Sequence, residues 1–393
     1  MGGSIALANV LTAITQLALA RILHPADFSL IVTLFVVIAV ASVPLGALQA
    51  TIARTVAAEC AKDGASGAGR VLRASARELV RLATPAAFVA IAISIPLGYW
   101  LNVQRVGPVI LTGVVIAASV ALTLVTGGLQ GMQRFEVLSV GQVGLALVKL
   151  AGAVTAARAG AGVAGVMGAI AGATVAVLAL GFIPLLPAFR ASHGPVRTRT
   201  LATRYSAAAA TALTLFAVLT TLDVITARLA LSPAASGQYA AASVAARALL
   251  LVPMTVTLIL FPQVVTLADR RRERRHLRGG LLVTGALVSV PVALLLVAGR
   301  QVVELIFGHA YATAGSSVGL LSVAMGLYAL AYVDLFHSLA VNRTRYWRFA
   351  TAVLAGQTAG FAFFHDRPRD FVVVQVAAAA TLAAGGHALE HRR

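Results

Sequence analysis

The sequence predicts an all-α integral membrane protein of about twelve transmembrane helices, arranged as two six-helix bundles with both termini in the cytoplasm. Three observations predict it. Hydrophobic residues make up 59% of the chain and charged residues only 11%, against roughly a quarter charged in soluble domains. Such a composition cannot clothe a soluble globule, so soluble enzymes are excluded. The 393 residues leave about 33 for each of twelve crossings, enough for a span of about 20 apolar residues and a short loop. Finally, the basic residues alternate between loops in the register that twelve crossings require.

Apolar windows bounded by Arg, Gly or Pro place the spans at 2–20, 29–53, 82–101, 107–127, 137–157 and 163–187 in the first half. The second half follows with 205–229, 238–265, 279–299, 315–339, 346–364 and 371–389. The start of the chain runs from Met1 into apolar sequence without a basic segment, which reads as a first transmembrane helix rather than a cleaved signal peptide. Cys60 is the sole cysteine, so no intrachain disulfide or cysteine metal cluster is expected.

The net charge of +18 is an orientation signal. Loops and span edges after even-numbered spans carry 22 basic residues, and those after odd-numbered spans carry 7. Basic residues favour cytoplasmic loops, which places the even loops and both termini inside. The run Asp269-Arg270-Arg271-Arg272-Glu273-Arg274-Arg275 suits nucleic acid or anionic lipid in isolation, but in this register it is a topology determinant; no nucleic-acid partner is expected.

The halves resemble each other. Arg21 and Arg228 close spans one and seven, Pro25 and Pro233 follow, and Pro44 and Pro253 sit inside the next spans, at offsets of 207, 208 and 209. A parallel repeat of six helices is a common transporter design, with substrate held at the repeat interface. The expected division is 1–190 for the first bundle, 191–204 for a basic cytoplasmic linker and 205–393 for the second bundle.

The stretch LALARILHPADFSLIVTLFVV resembles the first hairpin of the polysaccharide-biosynthesis, Wzx-type oligosaccharide flippases. GGLQGMQRFEVLSV after the fourth span, TTLDVITARLALSPAASGQYAAASVAARALLLVPMTVTLILFPQ over spans seven and eight, and LIFGHAYATAGSSVGLLSVA before span ten extend the likeness over nearly the whole chain. The resemblance implies the multidrug/oligosaccharidyl-lipid/polysaccharide (MOP, MATE-like) fold: two six-helix bundles around a cavity. It also implies movement of lipid-linked sugars across the cytoplasmic membrane by alternating access. A polyprenyl-pyrophosphate-linked glycan would then be the substrate, with a polysaccharide polymerase and glycosyltransferases as associated proteins. The cytoplasmic N-terminus is shorter than the family pattern.

An anionic, glycan-bearing lipid needs a cationic, water-filled path, and intramembrane charges are the first suspects. Arg247, about nine residues into span eight, is expected at a depth comparable to Asp223, about six residues from the outer end of span seven, where the two can form an ion pair across the hairpin. The pair either fixes helix register or lets a substrate phosphate compete with Asp223 for the guanidinium, whose planar fork suits phosphate. Lys149 lies in mid-span five, facing protein or water. Arg21 and Arg54 border spans one and two; the resemblance implies cavity-facing cations there, and snorkelling to head groups is the alternative. Arg228 reads as an interface anchor. Asp334 and His337, spaced i,i+3 on span ten, form a candidate coupling pair or a boundary group. Gln49, Gln130, Gln263, Asn9 and Gln16 offer hydrogen bonds to sugars or to neighbouring helices. Tyr239 and Tyr311 read as aromatic-belt residues.

The rival within the superfamily is a multidrug or small-molecule exporter. Exporters of cations need cavity acids, and spans one and two hold none; Asp27 lies in the loop. A membrane-embedded glycosyltransferase needs a large outer loop with catalytic carboxylates. The outer loops are short, and the pair Asp366 and Asp370 reads as a turn around Pro368, so no enzyme activity is expected. No phosphate-cradling Gly-rich lysine motif occurs, which argues against ATP-driven transport. No cofactor or metal is called for.

Overall fold

The computed structural model describes the backbone of residues 2–100, 106–191, 204–257, 270–340 and 345–391. Side chains are described over 3–81, 106–191, 207–257, 275–339 and 346–388. The described chain is helical throughout, without strands: α1 (Gly2–Ile22), α2 (Pro25–Trp100), α3 (Gly107–Gly131), α4 (Phe135–Arg158), α5 (Gly162–Phe182) and the short α6 (Leu186–Ala191). After them come α7 (Arg204–Ala230), α8 (Pro233–Arg247), α9 (Arg270–Phe307), α10 (Gly315–Ala340), α11 (Arg345–Phe363) and α12 (Pro368–His391). A 3₁₀ turn at Ala248–Leu250 carries α8 into a further helical stretch over 251–257. Residues 258–265 of the expected eighth span, Gln263 and most of the expected linker lie outside the described residues.

Proline starts three of these helices. Pro25, Pro233 and Pro368 occupy first-turn positions, where a missing N–H is no loss and φ is already helical. Ser232 caps α8, its hydroxyl oxygen accepting from the Ala235 N–H at 3.3 Å.

The clearest departure from expectation is α2. Spans two and three were expected at 29–53 and 82–101 with a basic loop between; the backbone is helical across that loop, interrupted once at Asp63–Gly64. Gly64 takes φ +58°, a conformation that only glycine adopts without strain. The arginines hide an apolar stripe. Val56, Ala68, Val71, Leu72 and Leu79 are buried against Leu124, Val125 and Leu129 of α3, Leu138 of α4 and Leu185. Two of the basic side chains also tie this end together: Arg73 donates to the Phe189 carbonyl, and Arg134 to the Pro184 carbonyl at 2.9 Å.

Ten described helical segments are long and apolar enough to cross a membrane. The second half of α2 and the 19-residue α11 accompany them, in keeping with about twelve. The chain is a multi-pass integral membrane protein.

It divides into two compact units, Met1–Leu23 with Val37–Ala210, and His24–Val36 with Thr211–Arg393. The thirteen residues 24–36 thus belong with the C-terminal helices. Three contacts hold them there. Phe28 is buried, its ring 6.3 Å from Phe307 and 5.6 Å from Tyr311. Arg228 donates to the Ala26 carbonyl at 3.2 Å. Gly237 lets α8 approach so closely that a Cβ there would fall 2.3 Å from the Pro25 carbonyl oxygen.

Within the second unit α10 is central, packing against α8, α9 and α12 and burying Tyr328, Met325 and Leu321. Asp370 accepts from the Arg367 N–H at 2.9 Å, a cap at the start of α12 that accords with the turn expected around Pro368.

Candidate functional site

The second unit encloses a polar cluster between α7 and α8. Tyr239, Ser243 and Arg247 are spaced four apart, so they form one stripe along α8. All three converge on Asp223 of α7. Arg247 Nη2 meets Asp223 Oδ1 at 2.6 Å, while Tyr239 Oη and Ser243 Oγ donate to Asp223 Oδ2 at 2.8 and 3.3 Å. The Arg247 Nε–H goes to the Thr220 carbonyl at 2.9 Å.

The helix begins at Pro233, so Arg247 sits fourteen residues along α8, deeper than a start at 238 implies. It still reaches Asp223 because helical side chains lean back toward the N-terminus. A long guanidinium stem spans the remaining distance.

The two partners differ in access. The Asp223 side chain is 0% exposed, whereas that of Arg247 is 15% exposed. The Asp223 carboxylate accepts from three donors, two hydroxyls and one guanidinium. Charge-assisted hydrogen bonds of this kind are strong. The guanidinium is therefore the more accessible partner of the pair.

Behind this pair lies a second layer. The side-chain amides of Gln357 (α11) and Gln375 (α12) donate to the Leu219 carbonyl at 2.9 and 3.1 Å, and Gln357 also donates to Gln375 Oε1. The Tyr239 ring packs on Phe371 of α12 at 5.8 Å. Three helices thus converge on one turn of α7, residues 219–223.

Tyr239 and Tyr311 correct the sequence reading. They were expected in an interfacial belt, yet both are core residues, 1% and 0% exposed. Their amphipathic rings fill helix contacts instead: Tyr239 contributes its hydroxyl to Asp223 and Tyr311 meets Phe28 edge to face. The spacing of Tyr239, Ser243 and Arg247 was the available signal for the first.

Other candidates stand apart. Arg21 at the end of α1 and Arg54 on α2 are exposed, and Lys149 is half-buried on α4, in register with buried Ala146 and Ala153. These three belong to the first unit. Asp334 and His337 are both buried on α10, His337 in its last turn, and His387 Nδ1 of α12 lies 3.7 Å from Asp334 Oδ1. Gln49 donates to Gln130 at 3.2 Å, bridging α2 and α3. Asn9 is exposed and Gln16 half-buried on α1.

With this geometry in hand, solved structures of similar architecture can be placed. A multidrug resistance MATE family transporter in an inward-facing conformation aligns with a TM-score of 0.68 at 15% identity, covering 96% of this chain and 94% of that one. The lipid II flippase MurJ, inward closed, aligns with a TM-score of 0.70 at 10% identity, covering 99% and 87%. A eukaryotic MATE transporter aligns with a TM-score of 0.62 at 14% identity, covering 100% and 97%. The fold is that of MOP-superfamily transporters. No family model and no curated relative matches the sequence.

Proposed function

We propose that the protein is a flippase that moves lipid-linked oligosaccharide or polysaccharide precursors across the cytoplasmic membrane by alternating access. Arg247 is the anion-binding residue of this reading. The observation that carries it is the asymmetry of the pair: a carboxylate fully buried and multiply bonded, beneath a guanidinium that is partly accessible. A pyrophosphate arriving at Arg247 exchanges one anionic partner for another, so the intramembrane charge is never left bare. Arginine suits this exchange because it binds phosphate through two parallel N–H bonds.

Arg21, Arg54 and Lys149 are the further cations of the proposed path, and Asp334 with His337 the proposed coupling pair. A polysaccharide polymerase and glycosyltransferases are its proposed partners, since they consume and supply the lipid-linked unit.

A second reading, export of cationic small molecules, draws on the same unit: Asp223 and Asp334 are buried carboxylates that a cation would seek. The two readings separate in proteoliposomes. Purified protein should translocate a fluorescent polyprenyl-pyrophosphate-linked glycan, with Arg247→Ala inactive and Arg247→Lys strongly reduced. Normal translocation by Arg247→Ala would overturn the proposed role; uptake of lipophilic cations without translocation of the glycolipid would favour export.

A further inference from the structure

One end of the first unit carries arginines that its acids do not neutralise. After the break at Asp63–Gly64, the helical stretch 66–81 buries Val71, Leu72 and Leu79 and turns Arg73, Arg77 and Arg81 outward, four residues apart. Arg134 in the α3–α4 turn and Arg190 in α6 are exposed around the same apolar cluster, which includes Met132, Leu185 and Phe189. Two of the unit's acids are already engaged: Glu59 pairs with Lys62 at 2.8 Å, and Asp63 with Arg70. Only Glu78 and Glu136 remain. They face five arginines that form no ion pair among the described residues.

Two of the five are held in place. Arg73 donates to the Phe189 carbonyl and Arg134 to the Pro184 carbonyl at 2.9 Å, so guanidinia from two elements bracket one stretch of backbone. A guanidinium has five N–H donors, and each of these contacts leaves most of them for an anion. The turn that presents Arg134 is strained: Gln133, alone among the described non-glycine residues, takes a positive φ, +58°. Such a conformation costs energy and persists only where its surroundings impose it. Apolar side chains lie among the cations, with Val80, Phe135 and Leu186 exposed. A free phosphate would leave these in water, whereas acyl chains cover them. Interfacial segments combine basic and apolar side chains in this way.

We propose that this surface binds anionic phospholipid of the cytoplasmic leaflet, with the headgroup phosphate held between Arg73 and Arg134. The register of the basic loops puts it on the cytoplasmic side, where the leaflet carries negative lipids. Orientation by basic loops requires only charge there. It gives no reason for guanidinia anchored on backbone carbonyls, or for exposed apolar side chains between them. The lipid site holds whichever substrate the protein carries.

The test uses the full chain in phosphatidylcholine nanodiscs. A trace of photoactivatable phosphatidylglycerol, or of phosphatidylcholine with the same diazirine, is added, and labelled peptides are mapped by mass spectrometry. The phosphatidylglycerol should label 66–81, 132–140 and 183–191 about fivefold more than the phosphatidylcholine. Arg73→Gln and Arg134→Gln should each lower that labelling about fivefold. The double variant Arg73→Lys with Arg134→Lys should also lower it severalfold, because an ammonium lacks the planar fork that serves a carbonyl and a phosphate together. Arg278→Gln removes an exposed arginine of the second unit and should change nothing. Equal labelling of the wild type by the two lipids, a comparison that requires no variant to fold, would overturn the proposal. An undiminished signal in the lysine double variant, or a loss in Arg278→Gln equal to that in Arg73→Gln, would reduce the surface to diffuse charge and overturn it too. Excess inorganic phosphate at constant ionic strength should leave the labelling in place; displacement would assign the arginines to a soluble anion instead of a lipid.

Discussion

The guanidinium of Arg247 meets the carboxylate of Asp223 at 2.6 Å across the hairpin of α7 and α8. A pair so buried is weak evidence of stabilisation, because desolvation offsets much of the attraction. Removing one member is a different matter. Arg247→Ala strands a buried carboxylate and should destabilise the protein by about 3–5 kcal/mol. The neutral double variant Asp223→Asn with Arg247→Gln keeps hydrogen-bonding groups at both positions. It should melt close to the wild type, yet it should not translocate glycolipid. Wild-type translocation by the double variant would assign the pair a purely architectural role.

Tyr239→Phe isolates one donor. The ring stays against Phe371, while the hydroxyl bond to Asp223 Oδ2 disappears. Hydrogen bonds to charged groups contribute about 1.5–3 kcal/mol, so the melting temperature in detergent should fall by several degrees. An unchanged melting temperature would mean that Ser243 and Arg247 alone satisfy the carboxylate.

Much of the helical plan is legible before any coordinates. Pro25, Pro233 and Pro368 mark helix starts because a first-turn proline loses no hydrogen bond, and the offsets of Arg21/Arg228 and Pro25/Pro233 recur as matching helix junctions. The Asp223–Arg247 pair is also legible, since two opposite charges at similar depth in adjacent spans have few other partners. Three features are not. The helical stretch across 54–81 is masked by arginines, which depress hydropathy without opposing helix formation. Tyr239 and Tyr311 carry the composition of interfacial residues; the four-residue spacing to Ser243 and Arg247 is a signal for the first, and only packing shows the second buried. The placement of 24–36 with the C-terminal helices depends on Gly237 and Phe307, more than two hundred residues away, and no local pattern encodes it.

That placement yields a prediction at Gly237. Gly237→Ala sets a methyl group 2.3 Å from the Pro25 carbonyl oxygen, and neither partner there is a flexible side-chain end. The helices must separate, so expression and thermal stability should both fall sharply. Gly113→Ala is the control: its added Cβ meets nothing within 4 Å, and alanine favours the helix interior by about 0.5–1 kcal/mol. Gly113→Ala should be neutral or stabilising. If the two variants behave alike, the close approach of α8 to Pro25 is not required by the fold.

Orientation can be tested with the protein's own cysteine. Cys60 is half-buried on α2 within the basic stretch assigned to the cytoplasm. A membrane-impermeant maleimide should therefore modify it in inside-out vesicles and leave it untouched in intact cells. The opposite face is probed at His309, whose side chain is 95% exposed after α9. In a Cys60→Ser background, His309→Cys should react from outside only. The two positions are separated by an odd number of crossings in the twelve-span register: Cys60 follows span two, and His309 follows span nine. Modification from the same side would break that register and with it the 22-to-7 asymmetry of basic residues as an orientation signal. Modification from opposite faces, with Cys60 inside, would fix the hydrogen-bonded outer end of α8, where Gln238 holds the Ala310 carbonyl at 2.6 Å and the Ala314 N–H at 3.0 Å, on the extracytoplasmic side.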